Sequence, residues 1–156
     1  MLRRVKRKEG QVLKIKLQNG MFSLGISLKE PIISFFDRVY REDDLPQSVN
    51  NIPIAFSIMV MNSAITSGRW EVIYSSEIPD QLKSIPKFCK KDQVTGELSI
   101  YHEIVELAPH YERPASLEEC KELEVAAVWE AEHVEDRLLD HFLGKPNIWV
   151  DQLRIR

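Results

Sequence analysis

Apolar and polar positions along the chain keep two different rhythms. Leu13-Lys14-Ile15-Lys16-Leu17 alternates strictly, the period of a strand with one face buried. Gln18-Asn19-Gly20 follows, and Asn-Gly predicts a tight hairpin because both residues tolerate positive φ. The return strand, Met21 to Leu28, sets Phe22, Leu24, Ile26 and Leu28 on one face, with Gly25 marking a bulge or bend. Pro31 resets the chain before a third apolar run, Ile32 to Tyr40, which contains Phe35 and Phe36. Residues 41–53 are polar and turn-rich and read as a loop. Ile54 to Met61 has almost no polar residue, which predicts a central strand. Asn62 is the expected N-cap of a single helical turn that Gly68 closes, and Trp70 to Tyr74 is the next strand.

Pro79 and Pro86 bracket a short connection. Phe88 and Leu98-Ser99-Ile100-Tyr101 predict two strands joined through residues 92–96, whereas Pro109 and Pro114 leave residues 103–115 without a clear assignment. The rhythm then changes. Ser116-Leu117-Glu118-Glu119 is a capping box, in which the serine hydroxyl satisfies a free N–H and the glutamate reaches back, so a helix of about two turns should follow. Val125 to Trp129 reads as one buried strand. From Glu130 the period is helical, with Val134, Leu138 and Phe142 spaced by four and Leu139 beside them; Gly144 and Pro146 stop the helix. The tail Ile148-Trp149-Val150 and Leu153 should pack back onto the body. These elements predict an α+β fold: a largely antiparallel curved sheet or open barrel with the C-terminal helix packed against it. Residues 1–156 are expected to form one domain.

Composition narrows the class. A hydrophobic fraction of 44% and a charged fraction of 29% are those of a globular protein. No stretch approaches the ~18 consecutive apolar residues of a membrane helix, and no apolar segment follows the basic N-terminus, so a signal peptide is not expected. Cys89 and Cys120 are too few for a disulfide framework and are not spaced as a C-x-x-C pair. They read as reduced, semi-buried side chains in a reducing cytoplasm.

The net charge of -3 hides an asymmetry. Residues 1–41 carry ten basic side chains against three acidic ones, for +7, while residues 112–142 carry three basic against ten acidic, for -7. An acidic surface can occupy the basic cleft of a protein that cuts nucleic acid, and complementary charge speeds association. Glu118, Glu119, Glu122, Glu132, Glu135 and Asp136 are the candidate partner-binding residues on that ground. The basic segment 1–16 supports a different reading, a small β-barrel that binds nucleic acid. A pI of about 5.8 argues against it, since such domains are usually strongly basic.

Catalytic and metal chemistry find little support. His133 and His141 lie eight residues apart on the predicted helix, roughly 12 Å at a rise of 1.5 Å per residue, too far to share one metal. His102 and His110 have no spacing that brings them together. Cys89, between Phe88 and Lys90, reads as packing rather than as an activated nucleophile. No G-x-S-x-G or phosphate-binding glycine loop is present. An acid/base pair near His102 or His133 is the remaining enzymatic reading. Trp70, Trp129 and Trp149 sit among apolar neighbours and are expected in the core.

Several stretches in order resemble one family. Glu9-Gly10-Gln11-Val12-Leu13-Lys14-Ile15 with Asn19-Gly20 is similar to the opening hairpin of the Immunity protein 26 family of bacterial polymorphic toxin systems. It departs in carrying Glu9 where a proline is usual. Phe35-Phe36-Asp37 resembles an aromatic-aromatic-Asp element, and Asn62 to Trp70, ending Ser67-Gly68-Arg69-Trp70, is the most distinctive block. Leu123-Glu124 through Trp129, His133-Val134-Glu135-Asp136-Arg137-Leu138, and Gly144-Lys145-Pro146-Asn147 with Trp149 resemble the C-terminal signature. The resemblance implies a cytoplasmic protein that binds a cognate toxin directly, with no catalytic residue and no cofactor. It implies that the shared motifs hold the fold, so it transfers no binding residue.

Overall fold

The structure is a computed structural model that describes residues 4–104 and 108–155, with side chains described outside residues 103–111. Among the described residues, ten strands form two sheets. The first contains β1 (Gln11–Lys16), β2 (Phe22–Ser27), β3 (Ile32–Tyr40), β4 (Ile54–Val60), β5 (Glu71–Ser75) and β10 (Val128–Trp129), in the order β10-β4-β3-β2-β1-β5. The second contains β6 (Phe88–Lys91), β7 (Leu98–Ile104), β8 (Ala108–Pro114) and β9 (Glu124–Val125), in the order β8-β7-β6-β9. Helices α1 (Ser63–Thr66), α2 (Leu117–Lys121), α3 (Ala131–Leu143) and α4 (Ile148–Leu153) complete the chain. Neither sheet closes on itself, and only β10·β4 and β6·β9 pair in parallel. This is the expected largely antiparallel α+β arrangement with a helix near the C-terminus.

The first sheet is apolar on both faces. One face carries Leu13, Ile15, Ile33, Phe35, Phe56, Ile58, Val60 and Trp70, and receives Val134 and Leu138 of α3. The other carries Val12, Leu24, Ile26, Ile32, Phe36 and Met59, and packs on Val49, Ile52, Leu82 and Phe88 of the following loops and of β6. Two buried faces explain why every residue of β2 is buried, serines included. They also explain Gly25. Phe35 lies across it, edge-on to Trp70 with ring centroids 5.6 Å apart. The outer strand β5 carries an extra residue: Val12 pairs with Tyr74 and Leu13 with Val72, which leaves Ile73 unmatched. A bulge of this kind blunts an edge against unwanted pairing.

Five expectations change. The run Val125 to Trp129 is not one strand: β9 is an edge of the second sheet and β10 an edge of the first, so the segment carries the chain between them. Asn62 is not a side-chain N-cap, because its Oδ1 accepts instead from Arg7 Nη1 at 2.9 Å, a nitrogen that also donates to the Val60 carbonyl at 2.8 Å. The capping box at Ser116 is present, but α2 is only five residues long. In the stretch 103–115, left without an assignment, Ala108–Pro114 forms a strand that pairs antiparallel with Leu98–Ile104. Cys89 and Cys120 are not reduced thiols: they form a disulfide, with Cα atoms 5.2 Å apart and both residues buried. A separation of 31 residues carried no signal of that contact.

A Cβ added at Gly25 would lie 3.2 Å from Phe35 Cδ1 and 3.2 Å from the Ser34 carbonyl oxygen, tighter than most packed Cβ contacts, so that Phe35 or the β3 backbone must give way. Gly25→Ala is therefore expected to destabilise the fold by about 1–2 kcal/mol. A urea melt reads this as a lowered midpoint, and an unchanged midpoint would mean that Phe35 has room to retreat.

Candidate interaction surface

Helix α3 carries three of the six predicted partner-binding carboxylates, and the structure commits most of the helix's polar side chains to neighbours. Glu135 Oε2 accepts from Arg69 Nε at 2.7 Å and from Trp70 Nε1 at 2.9 Å, while its Oε1 accepts from Arg69 Nη2 at 2.9 Å. Its side chain is only 14% exposed. These hydrogen bonds push the Arg69 guanidinium above its ordinary value, against the opposing effect of burial. Asp136 accepts from Trp149 Nε1 at 3.2 Å, and the Trp149 ring stacks on His133 with centroids 3.6 Å apart. Arg137 donates to both oxygens of Glu124 at 2.8 Å, with its guanidinium 3.8 Å from the Phe56 ring centroid. Asn147 reaches Asp140 at 2.9 Å and also caps α4 through the Val150 N–H. His141 Nε2 lies 2.7 Å from Asp37 Oδ1.

The local sequence explains these positions. Glu135 follows Val134 by one residue, so when Val134 turns into the core Glu135 sits at the rim of the buried stripe. Trp70 is buried at the mouth of β5, and Gly68, with φ of 84°, turns the chain so that Arg69 and Trp70 present donors side by side. A bidentate, charge-assisted contact of this kind has strong directional preference.

Of the six predicted partner-binding residues, Glu135 and Asp136 are thus turned toward the body of the protein. Glu119 belongs to the capping box at the start of α2 and also accepts from Arg113 at 2.8 Å. Arg113 and the Ser116 amide hold its carboxyl below the usual value. Glu132 is 73% exposed and only 3.8 Å from Arg69. Glu118 and Glu122, both exposed, meet no cation among the described residues. The available acidic surface is therefore that of α2 and the first turn of α3.

The histidines separate as well. His102 Nε2 lies 2.9 Å from the Ile85 carbonyl oxygen, and the side chain of His110 lies outside the described residues. No group of three or more His, Cys, Asp or Glu among the described residues is arranged to hold a metal. Among the described residues no helix is long and apolar enough to cross a membrane. The basic N-terminal segment is partly engaged: Arg7 binds the end of β4, and Lys14 lies 3.0 Å from Glu42 and 3.8 Å from Glu71. Trp70 and Trp129 are buried and Trp149 is half-buried, as the apolar neighbours of each predict.

Sequence reasoning missed the side-chain contacts that join distant segments. Arg69–Glu135 spans 66 positions, Glu124–Arg137 spans 13 and Asp37–His141 spans 104, and no local pattern links such partners. The one usable signal was the pairing of Arg69 with a buried tryptophan, whose N–H needs an acceptor.

Sheet, helix and ion pairs together define a rigid scaffold that presents a charged helical surface. Residues 8–99 match the family model described as Immunity protein 26, which is more than half of the chain, and the chain belongs to that family. No curated protein and no solved structure is a significant match. The matched interval contains the first hairpin, Phe35-Phe36-Asp37 and the Asn62 to Trp70 block. Of the resembling stretches beyond it, His133 to Leu138 contains Glu135, which Arg69 and Trp70 bind.

Glu135→Ala would leave the Trp70 N–H and the Arg69 guanidinium without their acceptor and is expected to cost about 2–3 kcal/mol by urea unfolding. Glu135→Gln, which keeps an acceptor for Trp70, should cost clearly less. Equal losses would show that Trp70 contributes nothing to the junction. Glu119 predicts a pH effect. A carboxyl held below its ordinary value of 4.5 in the folded state stabilises α2 above that pH, and this contribution disappears as pH falls through the lower folded value. An NMR titration should place the Glu119 midpoint below 4.5; a midpoint at or above it would mean that Arg113 does not hold the carboxylate in solution.

Proposed function

We propose that this immunity-family protein neutralises a cognate toxin by binding it directly in the cytoplasm and occluding its active site. Membership of the Immunity protein 26 family, through residues 8–99, is the observation that carries this reading. The role is one of binding rather than catalysis, and it needs no cofactor. The partner class is a toxin with a basic cleft, such as a nuclease. The charge of residues 112–142 supports that choice, since ten acidic side chains stand there against three basic ones. Glu118, Glu122 and Glu132 are the steering residues, because Glu119, Glu135 and Asp136 are already engaged within the fold.

A lethal toxin demands a tight complex, with a Kd near or below nanomolar, about -12 kcal/mol. Charge steering alone does not supply this. A few buried anchors must provide the slow dissociation, and the carboxylates act mainly on the rate of encounter.

The protein, tagged and isolated from its own host, is expected to bring with it a stoichiometric protein that is toxic when expressed alone. Glu118→Lys, Glu122→Lys and Glu132→Lys combined should slow association with that protein at least about tenfold at low salt and flatten its salt dependence. An association rate and salt dependence like those of the unchanged protein would move the interface elsewhere. Recovery of nucleic acid instead of a protein, weakened steeply by salt, would replace this reading with a nucleic-acid module centred on residues 1–16.

A further inference from the structure

We propose that the Cys89–Cys120 disulfide is a redox clasp that sets the position of the acidic helix α2. Burial and topology carry the proposal. Cys120 is the one buried side chain of α2, while Leu117, at the other end of the helix, is 39% exposed. The disulfide is therefore the helix's main attachment to the sheet beneath it. Its partner Cys89 lies on β6 and is fully buried. The other contacts of α2 are weaker: the capping box is internal to the helix, and the Arg113–Glu119 pair is about two-fifths exposed on both sides.

The segment after α2 is held independently. β9 pairs with β6, the Ala126 amide donates to the Cys89 carbonyl at 2.8 Å, and Glu124 is tied to Arg137 of α3. Opening the clasp thus releases residues 116–122 between two fixed ends, Pro114 on β8 and Glu124 on β9, without dismantling either sheet. What moves is functionally placed. Glu118 and Glu122 ride on α2, and Cys120 and Lys121 form part of one wall of a trough of about 470 Å³ that Leu123, Val125 and Leu153 also line.

The chemistry is a two-electron exchange with a dithiol reductant of the thioredoxin class. A reductant thiolate attacks one sulfur of the bond and forms a mixed disulfide while the other cysteine leaves as a thiolate. The second reductant thiol then displaces the first cysteine. The protein gains two thiols as the reductant becomes a disulfide, and the reverse exchange with an oxidised dithiol protein closes the clasp. Disulfides in a reducing compartment are commonly transient and redox-sensing rather than permanent. Burial of both cysteines makes the first attack slow and dependent on brief local opening around Cys120; the lasting release of α2 follows once the bond is broken.

The consequence for the toxin rests on the function proposed above, but the clasp itself is tested without a toxin. Amide hydrogen exchange of the full chain is measured oxidised, reduced with dithiothreitol, and reoxidised. We expect protection of residues 117–121 to fall at least tenfold on reduction and to return on reoxidation, with β1 to β4 unchanged. Cys89→Ala with Cys120→Ala should reproduce the reduced pattern without reductant. Unchanged protection in α2 overturns the proposal, and so does loss of protection across both sheets, which would make the bond a structural staple. In cells challenged with an oxidant and then lysed into N-ethylmaleimide, the two cysteines should sit in the disulfide and escape the alkylation that they undergo without the challenge. Cysteines that stay fully alkylated after the challenge overturn the proposal too.

Discussion

The first sheet has two apolar faces, and the need to cover both organises the molecule. A sheet apolar on one side can leave the other to water, but β1 to β4 place large side chains alternately up and down. One face takes α3. The other takes the 45–52 and 78–86 loops together with β6 of the second sheet. Every later element is positioned by one of these demands. The second sheet is anchored through Phe88, and the path from β9 to β10 returns the chain from the second sheet to the first just before α3 begins.

Covering a face with a strongly acidic helix creates a second requirement. Only Val134 and Leu138 of α3 are fully buried, a narrow apolar stripe for thirteen residues. The rest of the contact is polar, and each carboxylate near the sheet must find a donor or remain in water. Arg69, Trp70, Trp149 and Asn147 supply those donors, from α4 and its cap on one side and from the α1–β5 turn on the other. Arg137 faces the opposite way and uses the Phe56 ring as well as Glu124. The helix is thus seated more by directional contacts than by area. That fixes its rotation and leaves Glu132, only 3.8 Å from Arg69 near the helix start, as its exposed carboxylate.

Much of the fold was legible in the sequence because its signals are local. Alternation at Leu13 to Leu17, Asn19-Gly20, the Ser116 capping box and the spacing of Val134, Leu138 and Phe142 each report on neighbours a few residues away, and each corresponds to an element of the structure. Contacts that close long loops were not legible. Asn62 has the chemistry of an N-cap, yet Arg7, from 55 positions earlier, takes its oxygen. Val125 to Trp129 has the composition of one strand, and nothing local says that its two ends belong to different sheets. The carboxylates of α3 had the same composition as a solvated binding face. Only the folded arrangement separates Glu135, held by three donors, from Glu132, which is largely exposed and meets Arg69 only at 3.8 Å.

That separation divides the surface into positions that can change at little cost and positions that cannot. Residues locked into the scaffold cannot change without cost to stability, because a lost partner leaves a buried donor unsatisfied. Glu118 and Glu122 carry no such burden, and neither does the surface of the β7–β8 hairpin where Glu112 faces Lys90 in a half-exposed pair. The family match ends at residue 99, just inside β7, before β8 and α2 begin. Conformational constraint is therefore greatest in the matched half and its α3 partners, and least at the exposed positions of residues 116–122, between the paired strands β8 and β9. The exposed carboxylates Glu118 and Glu122 lie in that least constrained segment, beside sheets whose own packing does not depend on them.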